Sequence, residues 1–108
     1  MNENLKHLFK EEASELLTEL ENVLLKLEQE PGNNELVDRA FRALHTLKGA
    51  GGMFGFTDIS MFVHSMESVY DKIRDRTLKI NLDIIRYTLR ALDIINYMLE
   101  IPEEKQTQ

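Results

Sequence analysis

The sequence predicts an all-α fold, an antiparallel up-down bundle of four helices. Three observations predict it. Apolar residues recur at steps of three and four in four successive stretches, and nowhere do they alternate as in a half-buried strand. Helix breakers are scarce, with 2 prolines and 5 glycines in 108 residues, and four of those glycines fall between Gly49 and Gly55. Hydrophobic residues make up 43% of the chain and charged residues 30%, which suits one core and a solvated surface in a single domain.

The first helix carries Leu5, Leu8, Phe9, Ala13, Leu16, Leu20, Val23, Leu24 and Leu27 on one face, with charged residues on the other. It runs for about 25 residues, roughly 38 Å, and Pro31-Gly32 ends it. Asn33 or Asn34 caps the second helix, whose stripe is Val37, Ala40, Leu44, Leu47 and Gly51, broadened by Phe41. After a turn at Gly55, Thr57 or Asp58 caps the third, whose inner face is Ile59, Phe62, Val63, Met66, Val69, Tyr70 and Ile73. Asn81 opens the fourth, with Ile85, Leu89, Leu92, Ile95 or Asn96, and Leu99 inward. A second apolar row on that helix, Ile84, Tyr87, Ala91, Ile94 and Met98, reads either as a broad core face or as cover for another element. Met53, Met61, Met66 and Met98 are expected to fill gaps in the core. The domain is expected over residues 1–101, with residues 102–108 a polar tail or the start of a linker. Short connections make successive helices antiparallel neighbours.

Composition excludes several classes of function. A net charge of -6 and a pI near 5.0 argue against general nucleic-acid binding. Without cysteine there are no disulfides, Cys-based zinc sites or thiol catalysis. Met1–Lys10 lacks the apolar stretch of a signal peptide. The most apolar region, residues 84–99, carries Arg86, Arg90 and Asp93 and is not expected to enter a membrane. The expected location is the cytoplasm.

Function must come from a site, because bundles do many things. The informative segment is Ala43–Phe56, ALHTLKGAGGMFGF. Gly49, Gly51 and Gly52, if helical, together forfeit roughly 3 kcal/mol of helix preference relative to alanine. Gly51 lies on the core stripe, where close packing explains it. Gly49 and Gly52 lie four and seven residues after His45, on its face of the helix, and Lys48 stands beside them. That face presents an imidazole, an ammonium and then bare backbone, a surface a partner's recessed active site can approach. Neutral imidazole is a nucleophile near neutral pH, and lysine attracts phosphoryl oxygens as a mobile point charge. A nucleophilic histidine gains from a carboxylate on Nδ1–H, which frees Nε2. His64 and Glu67, three apart on one exposed or half-exposed face of the third helix, can lie opposite His45 if the second and third helices are antiparallel neighbours.

The run His45-Thr46-Leu47-Lys48-Gly49, followed by Gly51-Gly52-Met53-Phe54-Gly55-Phe56, resembles the signature of histidine phosphotransfer (HPt) domains. It is most similar to the N-terminal phosphotransfer domain of the CheA family of chemotaxis histidine kinases, over roughly residues 3–101. The resemblance implies a phosphorelay carrier. His45 would be phosphorylated at Nε2 by a separate kinase ATP-binding domain and would donate to an aspartate of response regulators of the CheY and CheB type. It implies that Lys48 handles phosphate, that Glu67 orients His45 with His64 in support, and that the domain is monomeric. ATP and magnesium would be needed by the partner kinase domain, with no cofactor in this one. Family members commonly carry a fifth helix, and this chain stops after four, so the second apolar row on the fourth helix is the surface it would cover.

Other readings have less behind them. Di-iron bundles use Glu-x-x-His on two helices, whereas this chain has His-x-x-Glu once and no inward acidic row, so no metal is expected. The glycines form no Walker motif, because Lys48 precedes them, and the chain is not expected to use ATP itself. The alternative from another class is a helical adaptor that binds a partner through the exposed apolar row, with His45 incidental.

Overall fold

The computed structural model describes residues 3–100, so the expected domain boundary at residue 101 and the polar tail lie outside the described residues. The elements are α1 (Glu3–Gln29), α2 (Asn34–Met53), α3 (Thr57–Arg74) and α4 (Leu82–Glu100), with no strand among the described residues. Helix α2 packs along α3 and α1, and α1 packs along α4, while α3 and α4 touch only sparingly. The result is an up-down four-helix rod of 42 × 22 × 21 Å. Every helix supplies fully buried side chains to one shared core, among them Leu24, Leu44, Ile59 and Ile95.

Local chemistry sets most helix ends. The Asn33 side-chain oxygen accepts from the Glu35 and Leu36 N–H groups at 3.1 and 3.2 Å, which makes Asn33 and not Asn34 the cap of α2. Asn81 does the same for α4, accepting from Ile84 N–H at 2.8 Å. The start of α3 departs from expectation. Its cap is Phe56, with no side-chain cap bond, so neither Thr57 nor Asp58 serves. Two contacts hold Phe56 in place: its N–H donates to Gly51 O at 2.8 Å, closing the C-terminus of α2, and its buried ring stacks on Phe9 with centroids 4.4 Å apart. The turn before it needs a left-handed residue, and Gly55 supplies φ 85°.

Several expected core positions are corrected. Leu5 and Leu8 are exposed. Phe9 already packs against Phe54 and Phe56 in the turn that ends the α2–α3 pair, so the turn of α1 before it projects past those helices. Leu17, outside the expected stripe, is buried, and Leu16 is only half-buried. Met53 and Met61 are exposed rather than core filler, because each lies off the inner face of its helix. Met66 and Met98 do pack on the core's edge. In α4 Ile95 points inward, not Asn96, and Leu89 reaches only the core's margin.

The second row of α4 divides. Ala91 is buried, Ile84 and Met98 are half-buried, and Tyr87 and Ile94 are exposed. Between α3 and α4 this leaves an apolar groove of about 310 Å³ walled by Phe62, Met66, Val69, Ile84 and Tyr87. Its floor holds a buried polar pair the sequence did not announce. Thr88 donates to Ile84 O at 2.7 Å, so Tyr70 must donate its hydroxyl to Thr88 Oγ1 at 2.8 Å. Burial pushes the Tyr70 phenol up to about 12, against the lowering effect of Thr88, and keeps it protonated.

Candidate functional site

Helix α2 continues through all three glycines to Met53, so the loss of helix preference inferred from the sequence is real. Gly51 is explained by packing: a Cβ there would meet Phe56 O at 3.4 Å and Ser60 at 3.5 Å. Gly49 is different, since a Cβ there would meet nothing within 4 Å. At Gly52 a Cβ would make ordinary contact with Ser60 Oγ, and the residue is exposed. No packing constraint requires glycine at 49, and the bare face beside His45 is present as expected.

His45 and Glu67 lie about equally far from the turn at Gly55. Equal climbs along antiparallel helices bring them level, and their side chains meet: His45 Nδ1 hydrogen-bonds Glu67 Oε2. The other oxygen, Oε1, accepts from Lys48 Nζ at 2.7 Å. Ser60 Oγ donates to Lys48 O at 2.9 Å and ties this turn of α2 to α3.

Exposure within the group is graded. The His45 side chain is 63% exposed, Lys48 28%, and Glu67 8%. Glu67 is therefore not on an exposed or half-exposed face, as the sequence suggested. It falls four residues after Val63 and three before Tyr70, on the buried stripe of α3. That spacing was a signal, because a carboxylate on an apolar stripe needs partners. His64, in contrast, is exposed, and its side chain makes no hydrogen bond or ion pair among the described residues. The expected supporting histidine is not part of the hydrogen-bonded group.

The electrostatics fix the proton. Burial alone pushes the Glu67 carboxyl up, but the hydrogen bonds from Lys48 and His45, with the attraction of both groups, hold it below its ordinary value of 4.5. At neutral pH it is an anion and can only accept. The shared proton therefore sits on His45 Nδ1, and the lone pair of neutral imidazole is on Nε2. The arrangement is an exposed imidazole hydrogen-bonded to a buried carboxylate, with an ammonium on the other carboxylate oxygen and open backbone at Gly49.

Residues 4–100 match the Hpt domain. This chain belongs to the Hpt family. Among relatives of this Hpt chain, the chemotaxis protein CheA of Borreliella burgdorferi is 41% identical over 100 residues, which is 93% of this chain and 12% of that protein. The chain thus spans about an eighth of that relative's length. The CheA phosphotransferase domain from Thermotoga maritima superimposes on this Hpt chain with a TM-score of 0.89 at 36% identity, covering 93% of this chain and 95% of that one. A solution structure of the histidine phosphotransfer domain of CheA gives 0.84 at 38% identity, over 93% of this chain and 75% of the other. Among the described residues no helix is long and apolar enough to cross a membrane.

One consequence of the bare face is testable. Gly49→Ala should raise helix stability by about 1 kcal/mol, since the new methyl meets nothing. Larger side chains at Gly49 or Gly52 should keep the protein folded while filling the open backbone, as melting curves will check.

Proposed function

We propose that this domain is a phosphorelay carrier in two-component chemotaxis signalling, in which His45 Nε2 accepts a phosphoryl group and passes it on. The bond between His45 Nδ1 and Glu67 carries the proposal, because in the neutral ring it holds the proton on Nδ1 and leaves the lone pair on Nε2, on a side chain that is 63% exposed. The donor is ATP held by a separate kinase domain, which needs magnesium. The Nε2 lone pair attacks the γ-phosphorus, the bond to the β–γ bridging oxygen breaks, and ADP leaves. An aspartate of a response regulator, of the CheY or CheB type, then attacks the phosphorus and the P–N bond breaks.

Glu67 stabilises the positive charge that develops on the imidazole during attack. The Lys48 ammonium has three donors and gives one to Glu67, so it can hold a phosphoryl oxygen without abandoning the carboxylate. A monomer suffices for these steps, and the cytoplasm supplies ATP. Homology to CheA chemotaxis proteins and similarity to CheA phosphotransfer domains support the assignment.

The test is incubation with radiolabelled ATP, magnesium and Borreliella burgdorferi CheA lacking its own matching domain. The chain should acquire a phosphate that is lost in acid and stable in base, and His45→Gln should acquire none. The groove between α3 and α4 favours a second reading, an adaptor that docks a partner on the apolar row. Absence of label on the wild type would support that alternative, and full labelling of His45→Gln would place the phosphate elsewhere and overturn the assignment to His45.

A further inference from the structure

The hydrogen bond to Glu67 tethers one atom of the His45 ring. With the side chain 63% exposed, a single tether leaves the imidazole free to rock about that bond. A second contact restrains it. Phe41, one helical turn before His45 on α2, lies nearly parallel to the imidazole, with centroids 6.1 Å apart and 18° between planes. This is an offset stack. The opposite neighbour along the helix is Gly49, which offers nothing. The ring is therefore walled toward the start of α2 and open toward its end.

Phe41 is itself held. The guanidinium carbon of Arg74, the last residue of α3, lies 3.8 Å from the Phe41 ring centroid, close enough for a cation–π contact. Arg74 is anchored in its own helix by Asp71 at 2.9 Å and reaches across to Asp38 of α2 at 3.5 Å. Asp38 also accepts from Arg42 at 2.9 Å. The guanidinium thus has an ion-pair partner on each helix while it covers the aromatic ring.

We infer that Phe41, clamped by Arg74, is a positioning residue that fixes the plane of the His45 imidazole, so that Nε2 faces the open side at Gly49 and Gly52. This rests on the proposed role of His45. Neither residue touches the phosphoryl group. Together with Glu67, they set where the nucleophilic lone pair points. In-line phosphoryl transfer is sensitive to that direction, since misplacing a reacting atom by about 1 Å can cost about 100-fold.

Phe41→Leu keeps an apolar side chain at the core's edge and removes the stack. With the same CheA kinase, it should lower kcat for phosphorylation roughly two- to tenfold, the worth of an aromatic pair, at unchanged KM. Phe41→Tyr should restore the rate. Arg74→Met should slow the reaction in the wild type and have no added effect in Phe41→Leu, because it acts through the ring. Nitrogen-15 relaxation of the imidazole gives a readout independent of activity. In Phe41→Leu the His45 ring should keep its Nδ1–H tautomer and become more mobile.

A His45 that labels normally with unchanged kcat in Phe41→Leu would overturn the inference while leaving the carrier function standing. Full additivity of the Arg74 and Phe41 effects would overturn the clamp. If the wild type takes no label, the carrier function fails. Positioning is then judged by relaxation alone, and an imidazole no more mobile in Phe41→Leu would overturn it.

Discussion

Glu67→Gln should slow phosphorylation of His45 by up to about 100-fold, the range reached when a reacting group loses its orientation. Glu67 accepts on both oxygens, from His45 and from Lys48, and a glutamine side chain has one acceptor oxygen and one amide donor. If the oxygen keeps Lys48, the amide faces Nδ1 and donates to it, which moves the imidazole proton to Nε2 and removes the nucleophile. If the oxygen turns to Nδ1, the amide meets the ammonium. Either arrangement breaks half the site. Glu67 is buried behind His45 and does not form the approach surface, so KM for the kinase should barely change. An unaltered rate would show that the carboxylate does not orient the ring.

The same carboxylate gives the stability a pH dependence of known sign. Its folded value is depressed below 4.5, so its contribution is fully present above that ordinary value. It is lost as pH falls through the lower folded value. Wild type should therefore lose stability in that acidic window more steeply than Glu67→Gln, as followed by denaturant melts at a series of pH values.

The second large effect is structural. Phe9→Ala should destabilise the protein by about 3–5 kcal/mol, the usual cost of emptying a buried phenylalanine site. Phe9 is fully buried, stacks on Phe56 at 4.4 Å and tilts against Phe54 at 5.9 Å. It holds the residue that begins α3 in place of a side-chain cap, so the cavity would loosen the turn that sets the two site helices in register. At about 4–8 °C per kcal/mol for a domain near this size, the melting temperature should fall by at least ~12 °C. Phe54→Ala, at a half-buried position, should cost less. Equal losses in the two variants would deny Phe9 its anchoring role.

These residues also show what a sequence makes legible. Asn33 and Asn81 were readable as caps because capping is a local exchange between one side chain and the next few N–H groups. The stripes of α2 and α3 were readable because burial follows the helical period. The start of α3 was not, since Phe56 owes its position to Phe9, far away in the chain. Leu5 and Leu8 keep the apolar period past the point where α2 and α3 end, and periodicity carries no information about where partners stop. Met53 and Met61 show that an apolar side chain is not by that fact a buried one, since exposed apolar residues are ordinary.

For the site, His45, Lys48 and the glycines announced themselves by spacing on one helix. Glu67 pairs with His45 as the sequence suggested, but its burial was legible only against Val63 and Tyr70, not against His64. The Phe41–Arg74 contact was hidden for a different reason. Phe41 had a sufficient explanation as an apolar residue at the core's margin, and nothing local ties it to the end of α3.

The most direct measurement places the phosphate on an atom. After phosphorylation of nitrogen-15-labelled protein, phosphorus–nitrogen coupling should put the phosphoryl group on Nε2 of His45, with the proton on Nδ1 facing Glu67. A phosphate on Nδ1, or on a residue other than His45, would contradict the orienting role of Glu67 and, with it, the part played by Lys48, Phe41 and the bare face at Gly49 and Gly52.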